Sequence, residues 1–302
     1  MDTPEDLDAV MRERRQLTNV AYRLLGSLAE AEDVVQETYA RWYALSDGQR
    51  DAIDNPGAWL TTVASRVCLD LLGSARARRE RYVGEWLPEP VPKRTEWIGA
   101  DGAADPADRV TLDESVNMAF LVVLDTMTPA ERVAFILHDV FAYSFNEIAD
   151  IVGRSPAACR QLASSARRRV RTSHAAPGAA PGQAAVVRDF KRALETADIR
   201  AVMSLLDPSA TVIADGGGLA NAALHPIVGR QRIVRYLAAL AARADISVPW
   251  LERTVNGQPG LISQEDGRTL TVLAFAVDGD RITHIWSIRN PEKLREWTRR
   301  AT

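Results

Sequence analysis

The chain has 302 residues, of which 46 % are hydrophobic and 25 % charged, with a net charge of −3. That length predicts two or three domains, and the composition is that of a soluble globular protein with ample material for cores. The near-neutral balance excludes a whole-molecule attraction to polyanions, and no apolar run approaches the roughly 20 residues that a membrane helix needs.

From Glu5 to Leu25 the apolar positions Leu7, Val10, Met11, Leu17, Val20, Ala21, Leu24 and Leu25 predict a helix that Gly26 ends. Ser27 and Glu30 stand three apart, a capping-box spacing that opens the next helix. That helix is expected to bury Val34, Val35, Trp42 and Leu45. Asp33, Gln36, Glu37 and Arg41 fall on another side, which by itself reads as a solvated face. Asn55-Pro56 breaks the chain and starts a third helix with Leu60, Val63, Ala64, Val67 and Leu71 as its core stripe. Trp59, Thr62, Arg66 and Asp70 lie off that stripe, and Arg76, Arg78, Arg79 and Arg81 follow. Aromatic and basic residues interleaved in this way suit melted DNA, because bases stack on rings while arginines hold phosphates. A core tryptophan with a basic helix end that complements the helix dipole is the equal alternative.

Residues 84–108 hold Pro88, Pro90, Pro92 and Pro106 and read as a linker. Trp86, Leu87 and Trp97 are costly to leave in water, so this linker is expected to dock on a surface. Helices resume over Val110–Met127, and Thr128, Pro129 and Glu131 cap another, with Val133, Ile136, Leu137 and Val140 inward. A helix-turn-helix follows. Ser144 and Glu147 cap a helix over Phe145–Val152 that Gly153 stops, and Ser155 and Pro156 begin its successor. In the successor Cys159, Leu162, Ala163, Ala166 and Val170 form the buried stripe. The other side carries Arg160, Gln161, Ser164, Arg167, Arg168 and Arg171, with no acidic residue between Arg154 and Arg171. Arginine and glutamine pair bidentately with base edges, so this face suits a major groove better than it suits water alone.

Ser173–Gln183 is small-residue sequence and reads as a hinge. Beyond it, helices over Ala184–Thr196, Ile199–Leu206 and Ile227–Ala244 accompany strands over Pro208–Ala214, Ile246–Asn256, Leu261–Gln264, Leu270–Val277 and Arg281–Ile288. This is an α+β domain with a curved antiparallel sheet, closed by a tail over Asn290–Trp297. The fold class is therefore multidomain, two all-α helical domains followed by an α+β domain.

The helical part resembles the RNA polymerase sigma factors of the extracytoplasmic-function type. AEDVVQETYARWY is similar to the helix that docks on core polymerase, AWLTTVASRVCLD with its trailing arginines to the region that holds the −10 element, and the helix-turn-helix to the −35 reader. The resemblance implies polymerase contacts at Asp33, Gln36, Glu37 and Arg41. It implies DNA contacts at Trp59, Arg66, Arg76, Arg78, Arg79, Arg160, Gln161, Ser164, Arg167 and Arg168. The family often has Asn where Arg66 stands. The C-terminal domain resembles the cone-shaped SnoaL-like fold, and WLPEP, DGGG and NPEKL match the sigma-factor subgroup that carries one. In that subgroup Lys or Arg usually follows DGGG; here it is Leu219. The implied domains are region 2 (1–83), the linker (84–108), region 4 (109–172), a hinge (173–183) and a SnoaL-like regulatory domain (184–302). A regulatory junction is expected among Trp86, Leu87, Pro88, Asp215, Gly216, Gly217, Gly218, Asn290, Pro291 and Leu294. Glycines allow close backbone approach, and the linker's large apolar groups need cover.

The expected partners are core polymerase and promoter DNA, in the cytoplasm, with a small-molecule ligand in the C-terminal domain left open. An enzymatic C-terminal domain would draw on Asp215, His225, Glu252, Asp266 and His284, a carboxylate–histidine chemistry that competes with their ordinary roles beside turns. A conventional helix-turn-helix repressor is the third reading. Cys68 and Cys159 have no CxxC spacing and read as core thiols of a reducing compartment; no metal or cofactor is expected.

Overall fold

The structure is a computed structural model and describes residues 4–79, 82–92, 116–173, 182–241 and 249–298. The chain divides into two compact units. One comprises residues 1–78, 95–115 and 123–174, the other 79–94, 116–122 and 175–302.

In the helical unit, α1 (Pro4–Leu25), α2 (Leu28–Tyr43), α3 (Asp47–Asp51) and α4 (Pro56–Arg79) come first. Gly26 follows α1 in the left-handed region at φ 74°, and Ser27 caps α2 through the Glu30 amide. After α5 (Met118–Leu124), of which only Val123 and Leu124 belong to this unit, Thr128 and Glu131 make a reciprocal capping box on α6 (Pro129–Phe135), which widens into a π turn at Ile136–Val140. Ser144 and Glu147 cap α7 (Phe145–Val152), Gly153 stops it at φ 69°, and Ser155 caps α8 (Pro156–Thr172). Leu17, Val20, Ala21 and Leu24 of α1 are fully buried, as are Val133, Ile136 and Leu137. Trp42, expected in the core, is only half-buried and packs its ring 5.3 Å from that of Trp59. It lies at the end of α2, where the chain turns off the core.

In the C-terminal unit, α9 (Gln183–Glu195), α10 (Ile199–Leu205) and α11 (Arg230–Ala241) accompany a six-stranded sheet of order β2-β1-β6-β5-β4-β3. The strands are β1 (Leu206–Asp215), β2 (Ile227–Val228), β3 (Trp250–Val255), β4 (Gln258–Glu265), β5 (Arg268–Asp278) and β6 (Arg281–Ile288). The sheet is mixed rather than wholly antiparallel: β1 pairs β6 in parallel, with Val212 opposite Ile285 and Asp215 opposite Ile288. Hairpins make only antiparallel pairs, and β1 reaches β6 across the whole domain instead. The helix expected from Ile227 starts at Arg230, because Ile227 and Val228 pair with β1 and Gly229 turns the chain at φ 93°.

Side chains alternate across the strands, so the sheet has two apolar faces. One carries Leu261, Leu273, Phe275 and Ile285 and is covered by Val186, Val187, Phe190, Val202, Ile233 and Val234 from the helices. The other carries Ile262, Val272, Ala274, Trp286 and Ile288. It is covered by Leu87, Met118, Leu294 and Trp297. Segments expected to be linker and start of region 4 thus belong to the C-terminal unit over 79–94 and 116–122. The second apolar face needs cover, and they supply it.

Candidate nucleic-acid interface and linker clasp

On α8, Cys159, Ala163 and Ala166 face inward, while Arg160, Gln161, Ser164, Arg168 and Arg171 are exposed. The Arg160 guanidinium sits 5.2 Å over the ring of Phe145, the first residue of α7. Arg167 departs from the expected face: it is half-buried, and its Nε donates to Asp139 Oδ1 at 2.6 Å. The same helical side therefore holds five exposed polar residues, Arg160 among them over Phe145, and one arginine committed to α8's own packing.

On α4, Arg66 is exposed and its Nη2 donates to the Asp150 carbonyl, at 2.9 Å, near the end of α7. Trp59 is half-buried against Trp42. The side chains of Arg76, Arg78 and Arg79 lie outside the described ones, as do Arg81 and Trp97 altogether. Two buried arginines join the same helices. Arg132 of α6, 2 % exposed, ion-pairs with Asp125 at 2.5 Å and donates to the Arg23 carbonyl that ends α1. Arg23 lies 5.7 Å from the Phe141 ring centre. On α2, Asp33, Gln36, Glu37 and Arg41 are all exposed, with Glu37 and Arg41 paired at 3.0 Å along one turn. Opposite charges four apart are worth little in water, so that face is available to a partner.

In the C-terminal unit the structure brings WLPEP, DGGG and NPEKL together around one buried carboxylate. Asp215 ends β1 with no exposed surface. Its Oδ1 accepts from Tyr82 Oη at 2.6 Å and from the Gly217 amide at 3.0 Å. Its Oδ2 accepts from the Leu87 amide at 2.9 Å and from Lys293 Nζ at 2.7 Å. Lys293 also donates to the Leu87 carbonyl, and its ammonium lies 4.2 Å from the Trp86 ring centre and 5.3 Å from that of Tyr82. Burial, followed by the Asp215 hydrogen bond, raises the Tyr82 pKa, so the phenol stays protonated and donating. Asn290 donates to Tyr82 Oη at 2.8 Å and caps the turn Pro291–Leu294. A Cβ on Gly217 would strike the Asn290 amide, and one on Gly216 the Ala220 carbonyl. Downstream, Trp297 Nε1 donates to the Pro90 carbonyl at 2.8 Å. The Asn256 amide bonds the Val91 carbonyl at 2.9 Å, and Pro92 bridges to Val255. Leu87 and Pro88 are buried, Trp86 half-buried.

Tyr82, Lys293 and Asn256 are the clasp residues that the motifs alone do not single out. Lys293 carried a signal: it lies within NPEKL itself, next to Leu294. The acid–base candidates do not converge. Asp215 is committed to Lys293, His225 is exposed, and Asp266 sits at an exposed hairpin tip. Glu252 pairs with Arg188 and Lys191 on β3, four strands from β1, a separation of about 19 Å at ordinary strand spacing. His284 stacks on Trp286, and burial lowers its pKa. Among the described residues no group of three or more His, Cys, Asp or Glu could hold a metal ion, and no helix is long and apolar enough to cross a membrane.

Residues 9–78 match the model of Sigma-70 region 2, and residues 117–170 that of Sigma-70, region 4. Over 292 residues the chain is 40 % identical to the ECF RNA polymerase sigma factor SigJ of Mycobacterium tuberculosis, covering 93 % of this chain and 90 % of SigJ. The chain belongs to the ECF RNA polymerase sigma factors. A second relative, the probable ECF RNA polymerase sigma factor SigI of the same species, is 33 % identical over 283 residues, with 93 % and 92 % covered. The crystal structure of SigJ superposes with a TM-score of 0.75 at 36 % identity over 96 % of this chain and 98 % of that one. The match therefore runs through the SnoaL-like C-terminal domain as well. In this sigma factor region 2 comprises α1–α4 and region 4 ends in α8, so the helix-turn-helix is not that of a free-standing repressor. Regions 2 and 4 imply core polymerase and promoter DNA as partners.

Proposed function

We propose that this sigma factor recognises its promoters through two surfaces held at a separation that its own C-terminal domain sets. Core polymerase docks on Asp33, Gln36, Glu37 and Arg41. Trp59 and Arg66, with the arginines that follow at 76, 78 and 79, hold the −10 element. Arg160, Gln161, Ser164 and Arg168 enter the −35 major groove, where Arg160 and Gln161 near the helix start reach base edges and Arg168 meets phosphate. Arg167 orients α8 through Asp139.

The single observation that carries the regulatory half is the capture of residues 82–92 by Asp215, Lys293 and Trp297. This stretch lies in the chain between regions 2 and 4, so the clasp shortens the tether available to the two readers. In vitro transcription with core polymerase on templates whose −10 to −35 spacing is varied tests it. Full-length protein should favour one spacing sharply, and a chain lacking Asn290–Thr302 should tolerate a broader range. Identical spacing profiles would refute the clasp as a spacer.

A further inference from the structure

Helix α11 presents an unpartnered basic face. Gln231, Arg232, Arg235 and Ala239 are exposed, while Ile233 and Val234 are buried against the sheet. At 100° per residue the exposed four fall within a little over a quarter of the helix circumference, and Arg243 continues that line in the sequence. No acidic residue occurs from Gly216 to Ala244. Among the described residues Arg232 and Arg235 have no carboxylate partner, and Arg235 Nε bonds only the Gln231 carbonyl within its own helix. On α9, by contrast, Arg192 is paired with Asp189 at 2.8 Å.

The placement also works against the helix. Arg230 and Arg232 occupy the first turn, which has no acidic residue of its own, although Asp207 faces Arg230, and the amino end of a helix already carries positive partial charge. A merely solvated face would gain by exchanging one of them for a carboxylate. The set of exposed residues is that of the promoter-reading helix α8, arginine, glutamine and a small residue that lets the backbone approach. It lacks the interspersed acids of a surface that stays in water.

We propose that the α11 face binds the phosphate backbone of duplex DNA flanking the promoter elements, so that the C-terminal domain adds a third, sequence-independent DNA contact. Arginines at positions 232 and 235, about 5–6 Å apart at their roots, contact phosphates of the flanking duplex, and Ala239 leaves room for the backbone. Nothing in this reading depends on the linker clasp.

The test uses holoenzyme reconstituted from core polymerase and the full chain. Its affinity for a promoter fragment with long flanks is measured by fluorescence anisotropy over a range of salt. Reversal in R232E/R235E, and the milder R232Q/R235Q, should make the slope of log K against log salt shallower by about 0.9 for each phosphate that is no longer neutralised. Promoter preference should be unchanged. On a fragment trimmed to the −35 and −10 elements the wild-type slope should fall to that of the variants. R192E, whose charge change of two equals that of R232Q/R235Q, serves as a control and should leave the slope closer to wild type. An unchanged slope in both variants, with folding verified by thermal melts, overturns the proposal. So does loss of core-polymerase affinity with the DNA slope intact, which would assign the face to an acidic protein surface.

Discussion

Replacing Lys293 by Met removes the ammonium from the clasp while keeping much of the apolar stem. The side chains of Lys293 and Asp215 are 10 % and 0 % exposed, so water cannot take over. Asp215 would keep three donors, Tyr82 Oη and the Leu87 and Gly217 amides, but its charge would be uncompensated. The Leu87 carbonyl would lose its donor, and Trp86 would lose the cation above its ring. Breaking one side of a buried pair costs about 3–5 kcal/mol, and the missing carbonyl bond and ring interaction fall within that figure because they involve the same ammonium. In a unit of roughly 150 residues this corresponds to a melting point lower by about 6–20 °C. Calorimetry of the full chain measures it as the shift of the C-terminal transition. The Asp215→Asn variant should be similarly damaged. The double variant should recover at least half of the summed loss, because no buried charge is then left unpaired. A loss below about 1 kcal/mol in Lys293→Met, or strict additivity in the double variant, would refute the claim that the pair holds the clasp.

Gly217→Ala should disrupt the same clasp sterically, since the residue sits at φ 60° and the added methyl would strike Asn290. In transcription assays its effect should not add to that of Trp86→Ala. Arg160→Ala should weaken use of the −35 element by about 1–3 kcal/mol with altered base preference, whereas Arg168→Ala should weaken all sequences alike; gel-shift competition with holoenzyme separates the two. Asp33→Lys with Glu37→Lys should abolish pull-down with core polymerase and leave circular dichroism unchanged, because both side chains are exposed. His284 has its folded pKa lowered by burial below the ordinary 6.5, so the unfolded chain binds more protons. Its contribution should be fully present above about pH 6.5 and decline as pH falls towards the lower folded value. Denaturation of His284→Phe across that window should lack the component.

Much of the helical unit was legible because its ends are written in side chains. Ser27, Thr128, Ser144 and Ser155 cap helices where their spacing to Glu30, Glu131, Glu147 and Pro156 announces them, and Gly153 takes the left-handed stop. The inward stripe of α8 was equally plain, but its outward side was not uniform. Arg167 finds Asp139, a residue 28 positions earlier whose position no helical period could reveal. Three short motifs indicated that the linker docks, and the apolar weight of Leu87 gave the reason. Sequence drew the linker as a boundary all the same, because a segment can leave one domain and complete the core of another without changing composition. The parallel β1–β6 pair was hidden for a related cause: alternation predicts strands but carries no information on which strand lies beside which. Lys293 was read past because a lysine is ordinarily a surface residue, and its partner stands 78 positions away.

That pairing of β1 with β6 has a consequence during synthesis. The domain's first strand, paired early with the two-residue β2, acquires its long parallel neighbour only when its last strand has left the ribosome, and Lys293 and Trp297, which grip the linker, follow later still. At about 5–20 residues per second, roughly 200 residues separate Pro92 from Lys293, an interval of about 10–40 s. For that time the linker is unclasped, and over the later part of it, once residue 170 has been added, regions 2 and 4 are both already made. A newborn chain thus passes through a state that the finished molecule must reopen to regain, and core polymerase present in excess could capture it first.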